Sequence, residues 1–195
     1  MLRRLPWAYV VVVAGVAAAR ALTGAPSASV LAATPDRLVA GKLWLLVTSA
    51  LIVSGPALLE VAGLAGTVAV AVRRLPARTV VAVGPLCHVL ATFTAYGMLL
   101  VVTGDPDGSR NHGLDYGISA VWLGLLGALF AQALPDARHG RGDARLIVAV
   151  AGISAVLGLI LPGLLAATEH TAAFLLGALI VAIRPWPGSS GRPSA

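Results

Sequence analysis

Residues 115–129 read DYGISAVWLGLLGAL, a polar start that leads directly into a long apolar run. Small residues recur through this stretch and just beyond it at helical spacing: Gly117, Ala120, Gly124, Gly127 and Ala131. Stripes of small residues allow two membrane helices to approach each other closely. The stretch therefore predicts a membrane-spanning helix that packs tightly against another helix, with the hydroxyl of Ser119 near its N-terminus.

Composition extends this prediction to the whole chain. Hydrophobic residues make up 58% of the sequence, charged residues make up 11%, and the mean hydropathy is +0.89. Soluble domains average about 45–50% apolar and about 25% charged residues. The net charge of +6 is spread over short loops between apolar runs, a pattern typical of topology signals and not of a nucleic-acid site. We predict a protein of the lipid bilayer with no nucleic-acid partner.

Six apolar segments can be separated along the chain: 6–24, 56–72, 79–103, 116–134, 146–167 and 170–183. Most are long enough to cross a hydrocarbon core, which takes about 20 helical residues. Between the first two lies a shorter apolar stretch, LWLLVTSALIVS at residues 43–54, which we predict to be interfacial or re-entrant. The predicted fold class is all-α, a polytopic membrane bundle of six transmembrane helices.

Basic residues predict the orientation of this bundle. In a six-span arrangement one side carries Arg3, Arg4, Arg73, Arg74, Arg78, Arg138, Arg141, Arg145, Arg184 and Arg192, and the other side carries Arg20, Arg37, Lys42 and Arg110. The positive-inside rule then puts both termini in the cytoplasm of a multi-pass protein of the cell membrane. The first segment also has the layout of a cleavable signal peptide, but its apolar run is long, which favours a retained helix.

No composition change marks a second domain. We predict one transmembrane domain over residues 1–187, followed by a disordered cytoplasmic tail at 188–195 that is rich in Gly, Pro and Ser. The histidines are scattered one to a segment without metal-ligand spacing, and no phosphate loop or dinucleotide fingerprint is found in the sequence. The sequence therefore implies no metal and no cofactor.

Polar residues within apolar spans are candidates for a functional site. Counted from the nearest cytoplasmic marker, Glu60, Ser119 and His170 all lie about 20–24 Å above the cytoplasmic edge. His170 begins a second small-residue stripe that continues with Ala173 and Gly177. We therefore expect the fourth and sixth helices to pack together, with Ser119 on the flank of their contact and a polar cavity open to the outer side. The plainer alternatives are ordinary helix packing and a serine that only caps its helix.

These residues together resemble a known family. Gly117-Ile118-Ser119-Ala120, followed by VWLGLLGAL, resembles the GxSG motif of the rhomboid family of intramembrane serine proteases, and EHTAAFLLGALI resembles that family's sixth helix. Ser119 and His170 are 51 residues apart, in keeping with the family's serine–histidine dyad. GKLWLLVTSALIVSGPALLEVAG is similar to the family's entry into its second helix.

The resemblance implies a rhomboid-like fold and a protease that cleaves transmembrane segments of membrane-protein substrates. Ser119 would be the nucleophile and His170 the base, with Gly117 supporting the motif. The sequence departs from the family at Ala120, which replaces a glycine, and at Leu58 and Ala62, which align with the helix-two histidine and asparagine that help to hold the oxyanion. The loop histidine before them aligns with Val53. A slow or specialised protease and a catalytically inactive protein that binds transmembrane helices both remain open.

Two acidic residues have possible supporting roles. Asp115 lies one turn before Ser119 and either orients His170, caps the helix or pairs with Arg110. Glu60 must face protein or water at its depth, and we expect it near the missing helix-two donors, protonated or bonded to a threonine or histidine. Glu60 is also the main argument for a third class of function, a small transporter.

Two further ionisable residues are assigned plain roles. Glu169 precedes His170 and is predicted to be interfacial and solvated, because consecutive helical residues face about 100° apart. His88 in the third segment is predicted to be a packing residue with its polar atoms satisfied.

Overall fold

The structure, a computed structural model, describes residues 2–104, 117–160 and 163–183. Within these ranges a 3-10 turn at Leu2–Arg4 precedes nine helices, and no β-strand is present. The helices are α1 (Leu5–Thr23), α2 (Ala28–Leu31), α3 (Pro35–Val39), α4 (Leu45–Ser49), α5 (Ala57–Arg74), α6 (Ala77–Thr103), α7 (Ser119–Arg138), α8 (Gly142–Ile160) and α9 (Leu164–Ala182). The prediction of an all-α fold is confirmed.

Five helices in the described part of the chain are long and apolar enough to cross a membrane: α1 with its preceding turn, α6, α7, α8 and α9. The helix α5, which corresponds to the predicted second span, has 18 residues and carries Glu60, Arg73 and Arg74. These charges set α5 apart from the five, so the structure supports a multi-pass helical membrane protein but leaves the sixth span a prediction.

The boundary between the last two helices differs from the prediction. The segments 146–167 and 170–183 were expected, but α8 ends at Ile160 and α9 begins at Leu164. Gly163 caps α9 with an extended backbone, ψ 174°, and it follows Pro162 in the sequence. Proline disfavours the helical conformation in the residue before it, which accounts for the break. His170 consequently lies in the second turn of α9 and not at its start.

The helix α7 is the centre of the fold. It contacts α5, α6, α8 and α9, and more of its length is buried than in the other candidate spans. Apolar residues occupy all sides of α7, as expected for a helix surrounded by protein. The first residue of this central helix is Ser119, so the position of the serine depends on contacts with four other helices.

Glycines bring α7 and α9 into backbone contact. A Cβ atom built at Gly127 would lie 2.0 Å from the Phe174 carbonyl oxygen, and one built at Gly177 would lie 1.9 Å from the Gly124 carbonyl oxygen. Only glycine fits at such a separation. The prediction that the fourth and sixth helices pack through their small-residue stripes is therefore confirmed.

The segment between α1 and α5 folds against the start of α7. The Gly117 backbone N–H donates to the Ser49 carbonyl at 3.0 Å, and the Ile118 N–H donates to the Ile52 carbonyl at 3.1 Å. The same segment is held from α1, where the Tyr9 hydroxyl donates to the Ala50 carbonyl at 2.5 Å. The predicted interfacial or re-entrant stretch at 43–54 thus contains the short helix α4 and braces the two residues that precede Ser119. Its depth in the bilayer stays a prediction.

Candidate active site

Ser119 opens α7 without capping it. The N-cap residue is Ile118, and no side chain makes a capping hydrogen bond there. The plain interpretation of Ser119 as a helix cap is therefore wrong. The first turn of an α-helix leaves its N–H groups without intrahelical acceptors, and the first intrahelical bond here is from the Trp122 N–H to the Ile118 carbonyl, at 2.9 Å. The hydroxyl of Ser119 thus lies beside a cluster of backbone donors.

Gly117 shapes the space next to this hydroxyl. Its φ of +142° is a conformation that L side chains rarely adopt. A Cβ atom at this position would lie 3.3 Å from the Ser119 hydroxyl oxygen and 3.5 Å from that of Ser54. The glycine of the sequence motif is therefore favoured mainly by the backbone turn, and a Cβ atom there would also crowd the Ser119 hydroxyl.

His170 is oriented by a backbone carbonyl of α8. Its Nδ1 lies 3.1 Å from the Gly158 carbonyl oxygen. A carbonyl oxygen can only accept a hydrogen bond, so Nδ1 carries the proton of this contact. In the neutral imidazole the other nitrogen, Nε2, is then the basic one. This is the tautomer that a general base requires.

Ser119 and His170 line the same cavity. It has a volume of about 450 Å³ and lies between α7, α8 and α9. Its walls also include Trp122, Ser154 and Leu157. The structure therefore brings together the nucleophile and base candidates named from the sequence, on two helices that touch through backbone atoms. The lining is mainly apolar, which suits a hydrophobic segment as ligand.

Trp122 connects this cavity to α5. Its indole N–H donates to the Thr67 hydroxyl at 2.7 Å. A Cβ atom at Gly63 would lie 2.5 Å from the Trp122 ring, so the ring occupies the space that this glycine leaves open. The wall of the cavity nearest α5 is thus a tryptophan fixed by one hydrogen bond and one close contact.

Glu60 is not part of the cavity wall. It lies in the first turn of α5, where its carboxylate accepts hydrogen bonds from the Gly55 N–H at 2.7 Å and from the Ser54 N–H at 3.3 Å. The Ser54 hydroxyl is a third donor, at 3.4 Å. The prediction of a bond to a threonine or histidine is therefore wrong. The Glu60 carboxylate instead accepts hydrogen bonds from the loop that leads into α5.

The positions aligned with the family's helix-two donors point outward. Leu58 is 82% exposed, and Ala62, one turn later, is also exposed. Neither residue lines the cavity of Ser119. Asp115, which was given a possible supporting role, lies outside the described residues, as does the predicted tail.

A second polar cluster is buried between α4, α6 and α9. The Ser49 hydroxyl oxygen lies 3.0 Å from His88 Nε2, and His88 Nδ1 lies 3.8 Å from Glu169 Oε1. The Thr92 hydroxyl donates to the same Glu169 oxygen at 3.3 Å. Glu169 is only 5% exposed, so the prediction of a solvated carboxylate is wrong. His88 is buried, as predicted, and the hydrogen bond to Ser49 satisfies one of its two ring nitrogens, Nε2.

Sequence reasoning missed two groups of residues. Trp122 and Ser154 line the cavity, and Ser49 and Thr92 join the buried cluster. The available signal was polarity within apolar segments, which applies to the serines and the threonine. For Trp122 no such signal exists, because a tryptophan in an apolar span is ordinary.

No family model, no curated protein sequence and no solved structure matches this chain. The rhomboid resemblance therefore depends on the quoted motif, the spacing and the helix pattern alone, and it stays a prediction.

Proposed function

We propose that this chain is a rhomboid-like intramembrane serine protease, a six-span protein of the cell membrane with both termini in the cytoplasm. The single observation that carries the proposal is the shared cavity, to which α7 contributes Ser119 and α9 contributes His170. The substrate class is a transmembrane segment of another membrane protein, which fits the apolar lining supplied by Leu126 and Leu157.

The reaction follows from the tautomer of His170. Nε2 takes the proton of the Ser119 hydroxyl as the serine oxygen bonds to the carbonyl carbon of the scissile peptide. The resulting oxyanion collapses, the C–N bond breaks, and Nε2 returns the proton to the departing amine. Water then hydrolyses the acyl-enzyme with His170 acting again as base. The Gly158 carbonyl supports this cycle because it accepts from Nδ1 and stabilises the positively charged ring.

Backbone donors must stabilise the oxyanion. The N–H groups of Ser119, Ala120 and Val121 precede the first intrahelical bond of α7, and the helix dipole adds positive potential at this end. Leu58 and Ala62 supply no donors, since they are apolar and exposed. Loss of one side-chain donor typically slows catalysis by about 10²–10³-fold. A slow protease is therefore expected.

The outward positions of Leu58 and Ala62 also favour a second candidate, a catalytically inactive rhomboid-like protein. In this case the same cavity would bind transmembrane helices of client proteins without cleaving them. For a small transporter the argument from the sequence was an ionisable Glu60 within an apolar span, but its carboxylate accepts hydrogen bonds from the N–H groups of Ser54 and Gly55. The protease and the binding protein differ in one property, the reactivity of Ser119.

A fluorophosphonate probe tests this reactivity in the purified protein reconstituted in lipid. We expect covalent labelling on Ser119, identified by mass spectrometry, with no labelling of Ser119→Ala and greatly reduced labelling of His170→Ala. The matched control is Ser154→Ala, which removes the other serine hydroxyl of the cavity and should leave labelling in place. If the unsubstituted protein reacts no faster than Ser119→Ala under conditions in which an active rhomboid is labelled, the protease proposal fails and the inactive form is favoured.

A further inference from the structure

Ser49 makes two contacts in different directions. Its carbonyl oxygen accepts the Gly117 N–H at 3.0 Å, two residues before Ser119. Its hydroxyl oxygen lies 3.0 Å from His88 Nε2 on α6. Because α4 has only five residues, it cannot hold its shape or position alone. The side chain of Ser49 thus connects the stretch at 43–54, which braces the start of α7, to α6.

His88 and Glu169 continue this connection to α9. His88 Nδ1 is 3.8 Å from Glu169 Oε1, a charge or dipole contact that is longer than a hydrogen bond. Thr92, one turn beyond His88, donates to the same oxygen at 3.3 Å. Glu169 is the residue before His170. A series of polar contacts therefore runs from Gly117, two residues before Ser119, to Glu169, the residue before the proposed base.

The burial of this series indicates a rigid connection. Ser49 and Thr92 have no exposed surface, and His88 is 1% exposed. Buried polar groups are costly to leave without partners, so the hydrogen bonds from Ser49 to His88 and from Thr92 to Glu169 are costly to break. The 3.8 Å contact between His88 and Glu169 joins these two hydrogen bonds. Intramembrane ionisable groups are expensive and mark functional positions by default.

We propose that Ser49, His88 and Glu169 are positioning residues that hold the start of α7 and the second turn of α9 in register, and thereby set Ser119 against His170. This inference rests on the proposed function for its catalytic consequence. Its structural part, coupling between α4, α6, α9 and the Gly117 backbone, can be measured without any reaction.

The same three groups have the chemical order of a serine–histidine–acid triad, but the surroundings argue against a nucleophilic Ser49. The neighbouring cavity of about 390 Å³ is lined by His88 and by Leu46 and Ala50 of the α4 segment, not by Ser49. With no accessible surface, the Ser49 hydroxyl has no space beside it for a substrate carbonyl. Its contacts suit positioning and not attack.

Hydrogen exchange in lipid nanodiscs tests the structural part, in a Ser119→Ala background where no reaction takes place. Ser49→Ala and Glu169→Gln should each speed exchange of the Gly117 and Ile118 amides by roughly tenfold, the effect of losing one buried polar contact. The double variant should be no faster than the faster single variant, because both substitutions break one connected series. The matched controls are Thr94→Val and Thr168→Val, whose exposed hydroxyls donate to carbonyls of their own helices. Additive effects, or changes confined to the substituted helix, overturn the proposal.

Probe kinetics test the catalytic part in a chain that keeps Ser119. Ser49→Ala and Glu169→Gln should slow labelling of Ser119 by roughly tenfold each without additivity. Ser49→Thr, which keeps a hydroxyl, should recover most of the rate. Unchanged rates in both variants, or a covalent label on Ser49 itself, overturn the positioning role. An unsubstituted protein that is not labelled on Ser119 overturns the proposed function alone, and the exchange experiment still decides whether the coupling exists.

Discussion

Substitution of Gly127 by alanine probes the contact between α7 and α9 on which the site depends. A Cβ atom there would lie 2.0 Å from the Phe174 carbonyl oxygen, whereas ordinary contact begins at 3.4 Å, so the backbones must separate by about 1.4 Å. The obstructing atom belongs to the backbone, so it cannot rotate away as a side chain would. The added methyl group must therefore move one helix relative to the other.

Two effects of this displacement can be estimated. Forcing an extra methyl group into a packed contact typically destabilises a protein by about 1–3 kcal/mol, and the backbone contact places Gly127→Ala at the upper end of this range. A misplacement of about 1 Å between reacting groups typically lowers a rate by about 10²-fold. We expect both a lower midpoint of detergent-induced unfolding and labelling of Ser119 that is slower by about 10²-fold.

The assay compares unfolding midpoints and probe-labelling rates of Gly127→Ala with those of Gly152→Ala. Gly152 lies within α8, and a Cβ atom there would have no neighbour within 4 Å. Alanine at this control position should be neutral or slightly stabilising because of its higher helix propensity. If Gly127→Ala matches Gly152→Ala in both measurements, α7 and α9 are not in backbone contact at this position.

Four further substitutions test other parts of the structure. Gly117→Ala should destabilise the protein by about 1–3 kcal/mol because its φ of +142° strains any L residue; labelling should fall with it, and unchanged unfolding and labelling would contradict the turn geometry. Trp122→Phe and Thr67→Val should each lower the free energy of unfolding by about 1 kcal/mol, and the double variant by no more than the larger single effect, since they share one hydrogen bond; additive losses would show that the bond is not formed. Leu58→His, which introduces at an outward-facing position the histidine that rhomboids have at the aligned position, should leave the labelling rate unchanged; a faster rate would mean that α5 is rotated from its described orientation.

Hydropathy predicted the long helices because a helix that crosses the bilayer or packs inside the protein needs an apolar surface. This requirement can be read from each segment of the sequence by itself. It misjudged the end of α8, where LGLILPGLLAAT is apolar on both sides of the break and only Pro162 and Gly163 mark the end of the helix. The packing of α7 on α9 was predictable for a physical reason as well. Glycine and alanine at helical spacing have little other use in the middle of a membrane helix than close approach.

The polar contacts were less predictable because they join segments far apart in sequence. Glu169 was expected in solvent on the basis of its place beside His170, but it lies inside α9, which begins at Leu164, and contacts Thr92 of α6. Glu60 was expected from residue counting at the level of Ser119 and His170, bonded to a threonine or histidine or protonated. The N–H groups of Ser54 and Gly55, in the loop before α5, are close enough in sequence to bond its carboxylate without help from another helix.

The nearness of Ser119 and His170 can be measured by thiol cross-linking in lipid. In a Cys87→Ala background, which removes the native thiol, the pair Ser119→Cys and His170→Cys should be joined rapidly by a short bis-maleimide. The comparison pair is Ser119→Cys with Leu175→Cys, since Leu175 is 61% exposed on another face of α9. Rapid cross-linking of the first pair only is the expected result. Equal cross-linking of both pairs, or cross-linking of the Leu175→Cys pair alone, would contradict the shared cavity and with it the proposed serine–histidine chemistry.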